Sequence, residues 1–338
     1  MSKIIVFGSL VQDIFLTLSP EDFVESDEQN LVFQIGKKHH IKAIHYVVGG
    51  GGANMAVSLS RLGNNVHLHT AVGTDEVGST LLSFIEHEHI AIQCVQRSSK
   101  KTGFSIIFPS RSGNQTIFSY TGAHHDLNAV SCDTNGYNAL CIAPLHGNAV
   151  QNIATILQSK PKKAMVFVNP SVDQIIDPEK TVYHSLGLID IVQCNYREAL
   201  LFLQHTVEKE REDQVFLSST NEKKLDLFFE FMHKHGVSIV IVTRGKEGVL
   251  VSHYGARYLL EMPVVSVKNT VGAGDAFGST FLHVFLKTKS IAESLLMAAT
   301  NVVAVLQSSD AQAGLLSYET LNQNVQDIRN RIHIKKTG

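Results

Sequence analysis

The sequence predicts an α/β fold, a large and mostly parallel β-sheet flanked by helices on both faces. Three observations carry that expectation. Compact apolar runs at Ile4 to Phe7, Ala164 to Val168, Ile189 to Val192 and Val237 to Val242 recur between stretches of helical spacing, the rhythm of strands buried on both sides. Two β-rich runs, 104–108 and 116–120, flank a turn containing Pro109, Ser112, Gly113 and Asn114 and read as a hairpin. Two glycine clusters, 49–52 and 272–274, each open an apolar helical pattern.

Taken in order, Ile4 to Phe7 is β-branched and aromatic and stops at Gly8, so it reads as a buried first strand. From Ile14 to about Val48, short apolar alternations are mixed with charge, as in Glu25-Ser26-Asp27-Glu28, which fits exposed β-structure or a flap better than core. Asn54 to Leu62 is a helix with Met55, Leu59 and Leu62 on one face, and Gly63 is its stop. Val66, Leu68 and Thr70 alternate with polar residues as a strand. The hairpin follows, then alternating strands and helices. Glu208 to Lys224 is charged and expected to face solvent, and Lys335-Lys336 is expected to be a solvated tail.

A chain of 338 residues suffices for one large α/β domain or two ordinary ones. Lys and Arg number 29 against 31 Asp and Glu, so the formal charge of -2 gives no footprint for nucleic acid or an anionic membrane. No stretch reaches membrane-span length. Cys94, Cys132, Cys141 and Cys194 are widely spaced without a CxxC pair, as expected for reduced thiols of a cytoplasmic protein. Paired histidines at 67/69, 87/89 and 233/235 share a strand face if they lie on strands, but no zinc-type ligand pattern surrounds them.

The chemistry concentrates at Asn269-Thr270-Val271-Gly272-Ala273-Gly274-Asp275. A glycine-rich bend runs straight into a helix whose apolar residues recur at Phe277, Phe281, Val284 and Phe285. Free N–H groups at such a helix start favour an anion. Asp275 in the first turn adds a base, so the pair suits phosphoryl transfer to a hydroxyl. A tight turn with Asp275 as a helix cap is the competing reading. The second cluster, Gly49 to Gly52 followed by Ala53 and Asn54, lets backbone approach a ligand and supplies an amide, or else is a structural loop. Neither cluster ends in GK[ST], and Gly8 to Asp13 lacks GxGxxG.

In this order the motifs resemble the ribokinase family of carbohydrate kinases, also called the phosphofructokinase B family. Gly8-Ser9 with Asp13 is similar to its N-terminal GSxxxD, and Gly49-Gly50 with Gly52-Ala53-Asn54 to its first signature. Leu62-Gly63, Val72-Gly73-Thr74-Asp75 and Gly78 extend that signature, and Thr121-Gly122-Ala123 resembles the segment after the hairpin. Asn195 with Glu198 matches NxxE, Val242-Thr243-Arg244-Gly245 with Gly248 matches VTxGxxG, and 270–277 matches TxGAGDxF. The resemblance implies one catalytic domain over 1–338 with a small β-sheet lid formed by about 12–48 and 101–122. It implies ATP and Mg²⁺, with the γ-phosphoryl group moving to a hydroxymethyl group of a sugar.

By the same resemblance Asp275 is the general base and Gly272, Ala273 and Gly274 form the anion hole. Asp13, Gly50 and Asn54 hold substrate hydroxyls. Asn195, Thr243, Gly245 and Asn301 lie along the nucleotide, and Glu198 reaches Mg²⁺ through water. Asn269 stands where the family usually has an aspartate tied to a monovalent cation, so weak K⁺ binding is expected. Gly51 replaces a lysine common in ribokinases, Val11 replaces a polar residue often used on ribose, and Asp310-Ala311 stands for the usual glycine-alanine pair. A nucleoside kinase of the same fold is the second reading, with Phe15, Phe33, Phe104 and Phe118 as aromatic candidates. A non-catalytic ligand-binding relative is a third. A homodimer through the lid is expected, because pairing would cover an exposed sheet edge.

Overall fold

The computed structural model describes residues 1–18, 24–27, 30–109, 115–128, 133–206 and 220–337. Strand β1 (Lys3–Phe7) leads into β2 (Val11–Leu18), the short pair β3 (Val24–Asp27) and β4 (Asn30–Val32), β5 (Ile41–Gly49) and helix α1 (Gly51–Arg61). Next come β6 (Asn65–His69), β7 (Ala71–Gly73), α2 (Glu76–His87), β8 (Gln96–Ser98), β9 (Phe104–Pro109) and β10 (Gln115–Tyr120). The following stretch holds β11 (Ala139–Ile142), α3 (Ile153–Gln158), β12 (Met165–Val168), α4 (Val172–Ile175) and α5 (Thr181–His184). It continues through β13 (Ile191–Asn195), α6 (Tyr196–Thr206), α7 (Asn221–Lys234) and β14 (Ile239–Thr243). Last are β15 (Val249–His253), β16 (Ala256–Glu261), α8 (Ala273–Thr288), α9 (Ile291–Leu306), α10 (Tyr318–Arg329) and β17 (His333–Thr337).

Nine strands form the large sheet in the order β17-β16-β15-β14-β13-β12-β11-β1-β6. From β6 to β14 neighbours run parallel, and β15, β16 and β17 add antiparallel strands at the other edge. Alternation along each strand divides the core. Ile4, Val6, Cys141 and Ile241 face one apolar cluster with α1, α2, α8, α9 and α10, whereas Ile5, Phe7, Ile142 and Val242 face another with α3, α6 and α7. Both faces are therefore covered, which is why these strands read as unbroken apolar runs.

A smaller sheet has the order β10-β9-β2-β5. The expected hairpin is there, with Ile117 opposite Ile107 in antiparallel register, and β2 pairs parallel with β9, placing Asp13 beside Ser105. Two expectations are corrected. Lys335 and Lys336 lie in β17 rather than in a tail, because they extend the sheet against β16 and Lys335 Nζ meets Glu261 Oε1 at 2.6 Å. Cys94 is disulfide-bonded, while Cys141 and Cys194 are free and buried. The charged stretch expected to face solvent falls mostly outside the described residues, and its end enters α7. Among the described residues no group of three or more His, Cys, Asp or Glu could hold a metal, and no helix is long and apolar enough to cross a membrane.

Candidate active site

The site assembles at the C-terminal ends of the parallel strands, beside β1. The chain runs from β1 to β6 on one side and β11 on the other, and such a reversal of strand order opens a crevice. Helix α1 enters that crevice because glycines face each other. A Cβ on Gly8 would lie 2.7 Å from Gly52 Cα, so only bare backbone permits the approach. Ala53 N–H then donates to Ser9 O at 3.0 Å.

The result is a cavity of about 240 Å³, lined among others by Ser9, Asp13, Gly50, Asn54, Ser105 and Asp275. Asp275 belongs to the first turn of α8. Its Oδ2 accepts from Asn54 Nδ2 at 2.9 Å, and Asn54 Oδ1 in turn accepts from Gln312 Nε2 at 3.1 Å. Helices α1 and α8 are held in register by a 2.7 Å hydrogen bond between Ser279 and Ser58 hydroxyls. Burial pushes the Asp275 carboxyl up to about 7; the Asn54 amide opposes the rise and the charge of Asp13 adds to it. Burial likewise pushes Asp13 up to about 6 against a hydrogen bond from Ser105. Two carboxylates without a cation beside them respond as expected for low-dielectric surroundings.

The turn before α8 presents free donors. Gly272 takes φ 77 at the N-cap and no side chain caps the helix. Among the described residues the N–H groups of Gly272, Gly274 and Asp275 have no acceptor, and Ala273 N–H reaches Thr270 O at 3.4 Å. With the helix dipole behind them these groups suit a phosphate. Gln193 Nε2, on β13, donates to Gly274 O at 2.8 Å and fixes the turn to the sheet. Asn269 Oδ1 accepts from Val271 N–H at 3.0 Å and from Gln115 Nε2 of β10 at 2.8 Å, tying the loop to the smaller sheet.

The remaining sequence-derived residues lie apart from the cavity lining. Asn195 and Thr243 stand opposite each other at the ends of β13 and β14, and exposed Gly245 follows with φ 56. Glu198 Oε2 accepts from Asn195 N–H at 2.7 Å while Asn195 Oδ1 accepts from Glu198 N–H at 2.9 Å, a reciprocal cap on α6. Burial raises the Glu198 carboxyl. Asn301 is fully buried, donating to Thr280 Oγ1 at 2.8 Å and accepting from Leu316 N–H at 3.0 Å. It braces α9 against α8. Gln312, Gln193 and Gln115 were not singled out in the sequence, since lone glutamines carry no motif or periodicity.

The pfkB family carbohydrate kinase pattern matches residues 1–317. The chain belongs to that family. It is a phosphotransferase with an alcohol group as acceptor, a kinase of sugars or nucleosides. It is similar to a ribokinase of Staphylococcus aureus, 25% identical over 95% of this chain and 99% of the relative. Its fold is that of a nucleoside kinase from Methanocaldococcus jannaschii, with TM-score 0.77 and 18% identity over 97% of this chain and 99% of that one. The ribokinase of Arabidopsis thaliana complexed with ribose and ATP has TM-score 0.76 and 18% identity over 96% and 99% of the two chains.

Proposed function

We propose that this kinase moves the γ-phosphoryl group of ATP to a hydroxymethyl group of a free sugar. The observation that carries the reading is Asp275, a carboxylate raised to about 7 inside the cavity and directly beside the unsatisfied N–H groups that start α8. The acceptor oxygen attacks the γ-phosphorus, its proton passes to Asp275, and ADP leaves. A base whose pKa lies near the working pH combines availability with driving force. Gly272 and Gly274 offer free N–H groups to the charge of the transferring phosphoryl, and Ala273 N–H joins them by giving up its long 3.4 Å contact with Thr270 O. Asp13, Asn54 and the Gly50 backbone orient the acceptor's hydroxyls.

Asn195 and Thr243, paired at the ends of β13 and β14, with Gly245 just beyond, fit an ATP molecule whose phosphates point at α8, since Gln193 of β13 holds the turn that opens α8. Asn301 supports this region through Leu316 rather than by touching the nucleotide. Mg²⁺, when bound, neutralises phosphate charge, and Glu198 would reach it through water because only its Oε2 is committed to the helix cap. Asn269 is neutral and already hydrogen-bonded, so we assign no K⁺ requirement. The smaller sheet, β2 and β5 with β9 and β10, acts as the lid of a single catalytic domain. Its outer strands expose Ile44 and Tyr46 on β5 and Ile117 and Phe118 on β10, which supports a homodimer through the lid. A cytoplasmic location, where ATP is supplied, belongs to the same reading; the Cys94 disulfide is the observation that stands against it.

A sugar is favoured over a nucleoside because no Phe, Tyr or Trp lines the described cavity. Phe104 packs on Tyr120, and Phe33 and Phe118 pack on Phe108, so these rings serve the lid itself. The test is ADP release from Mg-ATP with free sugars, sugar acids, sugar phosphates and nucleosides. A free sugar is expected to stimulate most, and Asp275→Asn is expected to lower that rate about 10²- to 10⁴-fold. Wild-type turnover by Asp275→Asn would sink the assignment of the base.

A further inference from the structure

A buried histidine of the cavity lining has no part in the scheme above. His124 sits in the 3₁₀ turn Gly122–Asp126, after β10, and is 1% exposed. It lines the same cavity as Asp13, Asn54 and Asp275. Neither Nδ1 nor Nε2 has a hydrogen-bond partner among the described residues. The other buried histidines differ: His69 Nε2 meets Asn128 O at 3.1 Å, and His283 Nδ1 meets Asn64 Nδ2 at 2.8 Å. Leaving two polar atoms of one buried ring unpaired is costly unless something that enters the cavity pairs them.

We propose that His124 reads the acceptor, pairing its imidazole with an oxygen of an uncharged polyhydroxylated substrate other than the oxygen that receives the phosphate. This rests on the kinase reading above. Burial, with His146, His69 and His125 nearby, holds the ring near pKa 3, so it is neutral at working pH. A neutral imidazole offers one donor and one acceptor. A hydroxyl matches both, whereas a carboxylate or phosphate matches only the donor and brings charge. The lining supplies no Lys or Arg to meet such a charge, and it already contains Asp13 and Asp275. His146, also in the lining, is engaged with Asp173 at 2.9 Å. Both ring nitrogens of buried His124 are therefore left for a group that enters the cavity.

The test compares wild type, His124→Leu and His124→Gln by steady-state ADP release. The acceptors are D-ribose, D-fructose, D-gluconate, D-fructose 6-phosphate and adenosine. Wild type is expected to prefer one of the two free sugars. For that sugar His124→Leu should raise KM by about 10- to 100-fold, the scale set by lost hydrogen bonds in a dry site, and spare the KM for ATP. His124→Gln, which keeps a donor and an acceptor, should recover part of the loss. Equal melting temperatures would show that both variants fold; if only the leucine variant melts early, the glutamine variant and its KM split carry the comparison. An unchanged KM for the sugar in a folded variant overturns the role of His124 and leaves the kinase reading intact. Preference for D-gluconate or D-fructose 6-phosphate overturns the uncharged class. If no acceptor stimulates ADP release by wild type, the kinase reading falls and this inference falls with it.

Discussion

The pH profile should move in opposite directions when the two neighbours of Asp275 are changed. Asp275 must be ionised to take a proton, so kcat/KM rises with pH through its pKa, which burial has lifted to about 7. Asn54 donates to the carboxylate at 2.9 Å and so favours the ionised form. Asn54→Leu removes that donor without leaving room for a replacement water. A hydrogen bond to a charged group is worth about 1.5–3 kcal/mol, and one pKa unit is about 1.4 kcal/mol, so the limb should climb by about 1–2 units. At pH 7 the ionised fraction would then fall from about half to between about 1% and 10%. Asp13→Asn removes a like charge and should move the limb down. Both variants also lose an acceptor contact, so overall rates fall; the position of the limb is the diagnostic. The assay is kcat/KM for the best sugar acceptor from pH 5.5 to 9.5, because this ratio reports the free enzyme's titrating groups. The wild-type limb belongs to the carboxylate pair, and Asp13→Asn isolates one member. A limb that stays in place in both variants, or moves the same way in both, would refute the assignment of Asp275 as the titrating base.

The raised carboxyls have a cost in stability. The folded protein holds protons on Asp275 and Asp13 more tightly than the unfolded chain, so the stability they allow is full below about pH 4 and is lost as pH rises through about 6 and 7. Asp275→Asn should therefore raise the melting temperature at pH 8 and leave it nearly unchanged at pH 4, and calorimetry at the two pH values checks this. At the anion hole, Gly272→Ala would put a Cβ 2.5 Å from Ala311 Cβ at φ 77. Turnover should drop by about 10²- to 10³-fold, the scale of a lost oxyanion donor, with the circular dichroism spectrum retained. For the cation, ADP release in KCl and NaCl at equal ionic strength should match. Marked stimulation by K⁺ would show that the neutral Asn269 loop still binds it.

How much of this was legible follows from what kind of physics each feature obeys. The buried strands declare themselves because both faces are covered, so Ile4 to Phe7 and Ile239 to Val242 are apolar at every position. The β9–β10 half of the smaller sheet was legible as a hairpin, but the half from 14 to 48 only as a stretch that did not read as core, since residues such as Ile44 and Tyr46 are apolar yet exposed. Lys335 and Lys336 looked like a tail because an edge strand with a charged outer row has the same composition as a solvated end. The glycine clusters brought out Asn54 and Asp275 and the family resemblance brought out Asp13, and all three share the cavity. Neither could bring out Gln312, 258 positions from the Asn54 it orients. Long-range pairing of two amides leaves no local pattern.

Those amides explain how the site keeps its base near neutrality. Gln312 holds Asn54, Gln193 holds the Gly274 carbonyl, and Gln115 holds Asn269. Each fixes geometry through a hydrogen bond and adds no charge. A lysine or arginine in the place of any of them would anchor the turn as firmly, but its charge would pull the Asp275 carboxyl down toward the ordinary range. The acceptor proton would then meet a weaker base. Neutral braces let burial set the pKa, and they leave the positive end of α8 as the attraction for the incoming phosphate. Preorganisation by uncharged side chains thus separates two tasks that a cation would confuse, holding the turn and tuning the base.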